Sequence, residues 1–138
     1  MLKKIASILN MTEDEIRNHP HLLINAFDQQ HHVLFWNKKS EQYFGISEEE
    51  AMGKKLEDLF PNINSNKKMN HLEKALSGFP VYVADDKYDK KEGYYDQVLL
   101  PVKDSNGSIL AALNVVVDLT FAKIKSAERL SLFSNNML

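Results

Sequence analysis

The chain contains no cysteine. That excludes disulfides, thiolate metal sites, a cysteine nucleophile and any cofactor held by a thioether or photoadduct bond. It also fits a reducing compartment, so a cytoplasmic location is expected. Charge of one sign is scarce too: 17 basic side chains face 19 acidic ones, for a net charge of −2. Such a balance offers no electrostatic reason to expect nucleic acid or an anionic membrane as partner. No apolar run approaches the ~18 residues that a membrane-spanning helix needs. The apolar stretch after Lys3-Lys4 is too short for a signal-peptide core, and no small-residue cleavage site follows it. Repeats and low-complexity tracts are absent as well.

What remains is an ordinary globular composition, 43% hydrophobic and 26% charged over 138 residues. That length suits one domain with short extensions. Its most informative stretch is Gly107 to Thr120, GSILAALNVVVDLT. The run Ile109 to Val117 is β-branched and apolar, and only Asn114 interrupts it, which predicts a strand. Because both alternating faces are apolar, that strand is expected mid-sheet, covered on both sides.

Leu2, Ile5, Ala6 and Leu9 form the stripe of a short amphipathic helix. Thr12 to Glu15 reads as a capping box, with Met11 and Ile16 placed for a hydrophobic staple. This helical preface either caps the domain's own sheet or makes a dimer contact. His21–Asp28 and His32–Trp36 read as two strands around a tight turn. Asn37 is placed to cap a helix over 38–44, and Gly45 to end it. Ser47 to Glu50 reads as a second capping box, and Leu56 to Phe60 as another helical turn. Met69, Leu72, Ala75 and Leu76 mark one face of a longer helix ended by Gly78. Strands are expected over 79–84 and 94–102, with a hairpin turn at Asn106-Gly107. After Thr120 the apolar positions Phe121, Ile124, Ala127, Leu130 and Phe133 suggest an exit helix. The order predicts an α+β fold: two strands, several short helices, then an antiparallel meander.

At this level of detail the chain resembles a PAS domain, the sensory module of bacterial histidine kinases, diguanylate cyclases and transcription regulators. The resemblance covers about residues 20–120. It is carried by Asp28, Val33, Trp36-Asn37, Glu41, Phe44-Gly45, Ser47 to Gly53, Leu56, Leu59, Phe60-Pro61, Leu72, Ala75, Gly78, Pro101, Asp104, Gly107, Ile109 and Asp118-Leu119-Thr120. It implies a five-stranded antiparallel sheet with its last strand in the middle and several short helices packed on one face. Residues 1–19 then form an N-terminal helical cap and 121–138 a C-terminal exit helix. It further implies that Asp118 and Thr120 form the junction that passes a conformational state to an effector, such as a histidine kinase. Asn37, Gly45 and Gly107 are expected to serve structure. One departure stands out: His31 occupies a turn position where the family usually has glycine, and histidine tolerates positive φ better than most residues.

The resemblance also implies a ligand space between sheet and helices. Its candidate walls are Ile24, Ala26, Phe35, Phe60, Leu72, Val98 and Leu100, with Asn25, Gln97 or Asn114 as polar handles. The plainer reading of the apolar set is core. Asn25 and Asn114 would hydrogen-bond each other, face a partner, or touch a ligand. The absence of cysteine rules out flavin-photoadduct chemistry, and His71 sits beside the apolar stripe, nearer Gly78 than a haem ligand would. Haem is therefore not expected. A metal site is not expected either: adjacent histidines on a strand point to opposite faces, and no carboxylate spacing completes a set with His19, His21, His31 and His32. The ligand stays unidentified. No catalytic motif is present, and Asp85-Asp86 with His71 is the best enzyme-like set available. The function expected is a sensory relay. Its partners would be a second copy joined through the terminal helices, a small ligand, and an effector on a longer parent or a separate chain. The alternative is a constitutive dimerisation module with a filled core.

Overall fold

The computed structural model describes residues 1–63, 67–86 and 94–120, with Asp85 and Asp86 described by backbone alone. The expected exit helix over 121–138 and residues 87–93 lie outside the described residues.

The chain opens with α1 (Leu2–Leu9) and α2 (Glu13–Arg17). Asn10 ends α1 in a left-handed conformation at φ +53°, which asparagine tolerates. The capping box of α2 forms in full: the Glu15 amide donates to the Thr12 hydroxyl and the Thr12 amide to the Glu15 carboxylate. Strands β1 (Leu22–Asp28) and β2 (Val33–Trp36) follow. Their turn survives without glycine because His31 itself takes φ +71°. Four helices come next: α3 (Lys38–Phe44), α4 (Glu48–Ala51), α5 (Leu56–Leu59) and α6 (Lys67–Leu76). Gly45 closes α3 at φ +69°. The second expected box forms only in part. The Ser47 hydroxyl accepts from the Glu50 amide, yet the same hydroxyl also donates to the Glu50 carboxylate.

The chain ends in an antiparallel meander: β3 (Val81–Asp86), β4 (Tyr95–Lys103) and β5 (Ile109–Asp118). Strand β3 begins later than expected. The Phe79 amide still donates to the Lys74 carbonyl at the end of α6, and Pro80 has no N–H to give. The strand order is β2-β1-β5-β4-β3, so β5 is central and pairs with β1 and β4 over its length.

Both faces of β5 are covered. On the inner face Phe27, Leu99 and Ala112 meet Met69, Leu72, Ala75 and Leu76 of α6, with Trp36, Phe44 and Phe60 around them. On the outer face Ile24, Ala26, Phe35, Ala111, Leu113 and Val115 meet Ile5 and Ile16 of the first two helices. Both isoleucines are fully buried. The N-terminal preface is thus a cap on the domain's own sheet.

One side chain ties these layers together. Asn37 accepts from the amides of Ile24 (3.0 Å) and Ser40 (3.0 Å) and donates to the carbonyls of Ile16 (3.0 Å) and Leu22 (2.8 Å). It therefore joins the end of α2, the start of β1 and the start of α3 through one buried amide. Replacing it with alanine strands several buried groups at once. Asn37→Ala is expected to cost about 3 kcal/mol, read as a lower urea midpoint with the slope unchanged.

Candidate functional site

A β-strand alternates its side chains between two faces, and directly opposed residues of antiparallel neighbours share a face. Asn25 of β1 lies opposite Asn114 of β5, which lies opposite Leu99 of β4. All three therefore face inward, towards α6. Gln97 sits one inward position along β4 and reaches Asn114 diagonally. Its amide donates to Asn114 Oδ1 at 2.8 Å, and the Asn114 amide donates to Asn25 Oδ1 at 3.0 Å. The three buried amides form a hydrogen-bonded chain across the middle of the sheet. At its β4 end the carbonyl oxygen Oε1 of Gln97 is buried and has no hydrogen-bond partner among the described residues. A buried acceptor left unmade costs about 1–3 kcal/mol, so this oxygen is a natural point for a donor to enter.

The seven expected walls and the handle Asn114 divide between two faces. Phe60, Leu72 and Asn114 are on the inner side. Ile24, Ala26 and Phe35 are not: they pack on the N-terminal cap. Val98 and Leu100 oppose Val115 and Leu113 and share that outer face. The physical reason is alternation itself. Ile24 and Ala26 flank Asn25 and must point away from it. The inner surroundings of the polar chain are instead Leu23, Phe27, Leu99, Ala112 and Val116. The spacing of Asn25 and Asn114 carried that signal, since their i±2 neighbours share their face.

At the end of β5 the expected junction is a connected structure. The Asp118 carboxylate accepts from the Thr120 amide at 3.0 Å. Thr120 acts across strands: its hydroxyl accepts from the Tyr94 amide at 3.0 Å. The Leu119 amide donates to the Tyr94 carbonyl at 2.8 Å. Tyr95 completes the set. Burial, and next the Asp118 carboxylate, push its hydroxyl above the ordinary tyrosine range, while a hydrogen bond with Thr120 opposes them. No local pattern links Tyr94 or Tyr95 to this junction, because their partners lie more than twenty residues away.

The histidines have separate tasks. His19 Nδ1 accepts from the amides of His21 and Leu22, both at 3.1 Å, at the entry to β1. Burial, then His21, hold it below the ordinary histidine range, with Glu15 opposing. His32 pairs with Asp28 at 3.2 Å, and the His31 ring lies between Glu57 and Glu73. The Nδ1 of His71 is buried without a partner among the described residues. Among those residues no three metal-ligating side chains converge, and no helix is long and apolar enough to cross a membrane. The Asp85 and Asp86 side chains, set beside His71 in the sequence reading, lie outside the described residues. A surface cleft of about 200 Å³ opens elsewhere, beside Arg17, Lys38, Glu41 and Glu48.

Comparison with known proteins agrees with this geometry. A family model described as the PAS fold matches residues 18–123. The chain belongs to that family. Among solved structures it is similar to the PAS domain of the histidine kinase ThkA, at 22% identity and a TM-score of 0.58, covering 71% of this chain and 98% of that one. It is similar to a sensory box sensor histidine kinase from Vibrio cholerae, at 15% identity and a TM-score of 0.63, covering 87% and 99%. The PAS domain of Bordetella pertussis BvgS aligns at 17% identity and a TM-score of 0.62, covering 91% and 97%. No curated protein sequence matches the chain.

Two pH effects follow. The raised Tyr95 value means the unfolded chain ionises first. Its stability contribution is present below about pH 10 and is lost as pH rises through the raised value. Stability of the wild type should therefore fall more steeply above about pH 10 than that of Tyr95→Phe, measured by urea unfolding at stepped pH. His19 has the opposite sign. Its lowered value gives stability above about pH 6.5 that fades as pH falls. Amide exchange at His21 and Leu22, corrected for intrinsic rate, should speed up on acidification, and flat protection would remove the assignment.

Proposed function

We propose that this protein is a sensory, signal-relay PAS module. A small ligand or partner acts between the inner sheet face and α6, and the Asp118-Leu119-Thr120 junction passes the change to an effector. One observation supports this reading above the rest. The buried amide chain, whose end acceptor has no partner among the described residues, and the exit junction share a single strand pair, β4–β5. Gln97 lies two residues from Tyr95, and Asn114 four residues from Asp118. A donor arriving at Gln97 Oε1 would draw on the same two strands whose ends are joined through Tyr94, Leu119 and Thr120. The two arrangements need differ by only a few kcal/mol for the ligand to shift their populations. The histidine-kinase context of the similar structures supports an effector of that kind, on a longer parent or a separate chain, in a bacterial cytoplasm. The domain limits that go with this reading are 1–19, 20–120 and 121–138.

Native mass spectrometry of freshly purified protein tests the ligand. A bound small molecule is expected, or a thermal shift with a metabolite carrying N–H or O–H donors. Gln97→Leu should abolish that shift while the protein stays folded. Bare protein with no shift across the panel would end the ligand version.

A second reading has its own support. The inner face carries a contiguous apolar cluster, with the Phe44 ring 5.3 Å from Trp36 and 5.0 Å from Phe60. Such a core suits a constitutive dimerisation module. Ile8 on α1 is 42% exposed and is the natural contact. Sedimentation would then give a dimer for the wild type and a monomer for Ile8→Lys.

A further inference from the structure

The turn between β1 and β2 is where the sheet meets the inner helices. The Gln29 side-chain amide donates to the carbonyl of Leu76, at the end of α6, at 2.9 Å and to that of Ile109, at the start of β5, at 3.1 Å. The His31 carbonyl accepts from the Leu56 amide, the first residue of α5, at 2.9 Å. The His31 ring then spans both helices. Its Nδ1 lies 2.8 Å from Glu57 Oε1 on α5, and its Nε2 contacts Glu73 Oε1 on α6. The ring is only 16% exposed, while the Glu57 side chain is 31% and the Glu73 side chain 56% exposed.

An ionised carboxylate can only accept hydrogen bonds. Two carboxylate contacts on one imidazole therefore need two N–H groups. The imidazolium has both, and neutral imidazole has one. Loss of the proton leaves a ring lone pair facing a carboxylate oxygen, and one contact turns repulsive. We infer that His31 is a proton-sensitive latch: protonated, it holds α5 and α6 to the β1–β2 turn, and neutral, it releases one of them. The charged groups around it are Glu57 from α5 and Glu73 from α6. Within its own turn stands Asp28, which is engaged with His32 and with the amides of Gln30 and His32. The segment beside β2 adds the exposed Lys54 and Lys55. The β5 side of the turn contributes the Ile109 carbonyl.

The consequence reaches the inner face. Helix α6 carries Met69, Leu72 and Leu76 over that face, so the latch sets how tightly the helix sits there. This inference does not rest on the exit junction or on any ligand, and its readout is on α5 and α6. A latch could fail with the signalling reading intact, and the reverse also holds.

Hydrogen exchange of the full chain, resolved amide by amide and corrected for intrinsic rate, tests it over about pH 8 to 5.5, the range in which histidines change charge. Opening of the amides of α5, of α6 or of both should become roughly two- to fivefold rarer at the acid end, the scale of a partly exposed ion pair. The readout must be local, because His19 works in the opposite direction at the entry to β1. His31→Asn tolerates the left-handed turn but cannot titrate, and it should show no acid protection. Glu73→Gln keeps the ring and should shrink the effect, which serves if the first variant does not fold. His32→Asn and His71→Gln should respond like the wild type. Nitrogen NMR should show both ring nitrogens of His31 protonated at the acid end. A wild-type profile flat on both α5 and α6, protection that survives both His31→Asn and Glu73→Gln, or protection lost only in the His32 or His71 variant would overturn the latch.

Discussion

The central strand of this sheet is covered on both faces, and a polar side chain on it has only other protein groups to bond. Burying an amide without partners costs more than most single packing contacts contribute. Asn114 meets that constraint by bonding sideways to Asn25 and Gln97 on the neighbouring strands. The three amides fix the register of β1, β5 and β4, since a one-residue slip would turn each of them to the opposite face. The rest of the architecture follows. With β5 central, helices must cover one face and the N-terminal preface the other. The two apolar clusters differ accordingly: the inner one is rich in rings and α6 side chains, the outer one in aliphatic residues of the strands and the cap.

Two further polar devices hold this arrangement. Asn37 anchors the cap, β1 and α3 through one buried amide. The β1–β2 turn anchors α5, α6 and the start of β5 through Gln29 and His31. The two lie at opposite ends of the β1–β2 hairpin. The inner helices are thus fastened to the sheet at one end by a neutral amide and at the other by a group that can change charge.

Much of the architecture was legible in advance because it rests on short-range chemistry. The capping box at Thr12, the cap at Asn37, the left-handed Gly45 and Gly107, and the stripe Met69–Leu76 each depend on neighbours within four residues. The central position of β5 was legible from its two-sided apolar run, together with the resemblance to the PAS family. The inner-face residues were legible only in part. Asn25, Gln97 and Asn114 stood out as polar handles, and a hydrogen bond between Asn25 and Asn114 was among the readings open, while the bond from Gln97 was not foreseen. The apolar walls were assigned without respecting alternation, so Ile24, Ala26, Phe35, Val98 and Leu100 were set with side chains that point the other way. Tyr94 and Tyr95 could not have been linked to Thr120 by spacing, because two strands and the hairpin turn between them separate them.

The sequence by itself determined the local elements, the absence of thiol chemistry, and the demand that one strand be buried on both sides. Those depend on residue type and on contacts a few positions apart. Only the tertiary structure decided which face each side chain joins, that the N-terminal stripe closes on its own sheet, that the amides link into one chain ending at an acceptor with no partner among the described residues, and that His31 lies between two glutamates from different helices. These are meetings of residues up to 89 positions apart, and no pattern along the chain encodes a distance across the fold. The stretch Gly107 to Thr120 shows both halves: its strand character was written in its β-branched run, while the bonds from Thr120 to Tyr94 and from Asn114 to its neighbours exist only once β4 and β1 lie beside it.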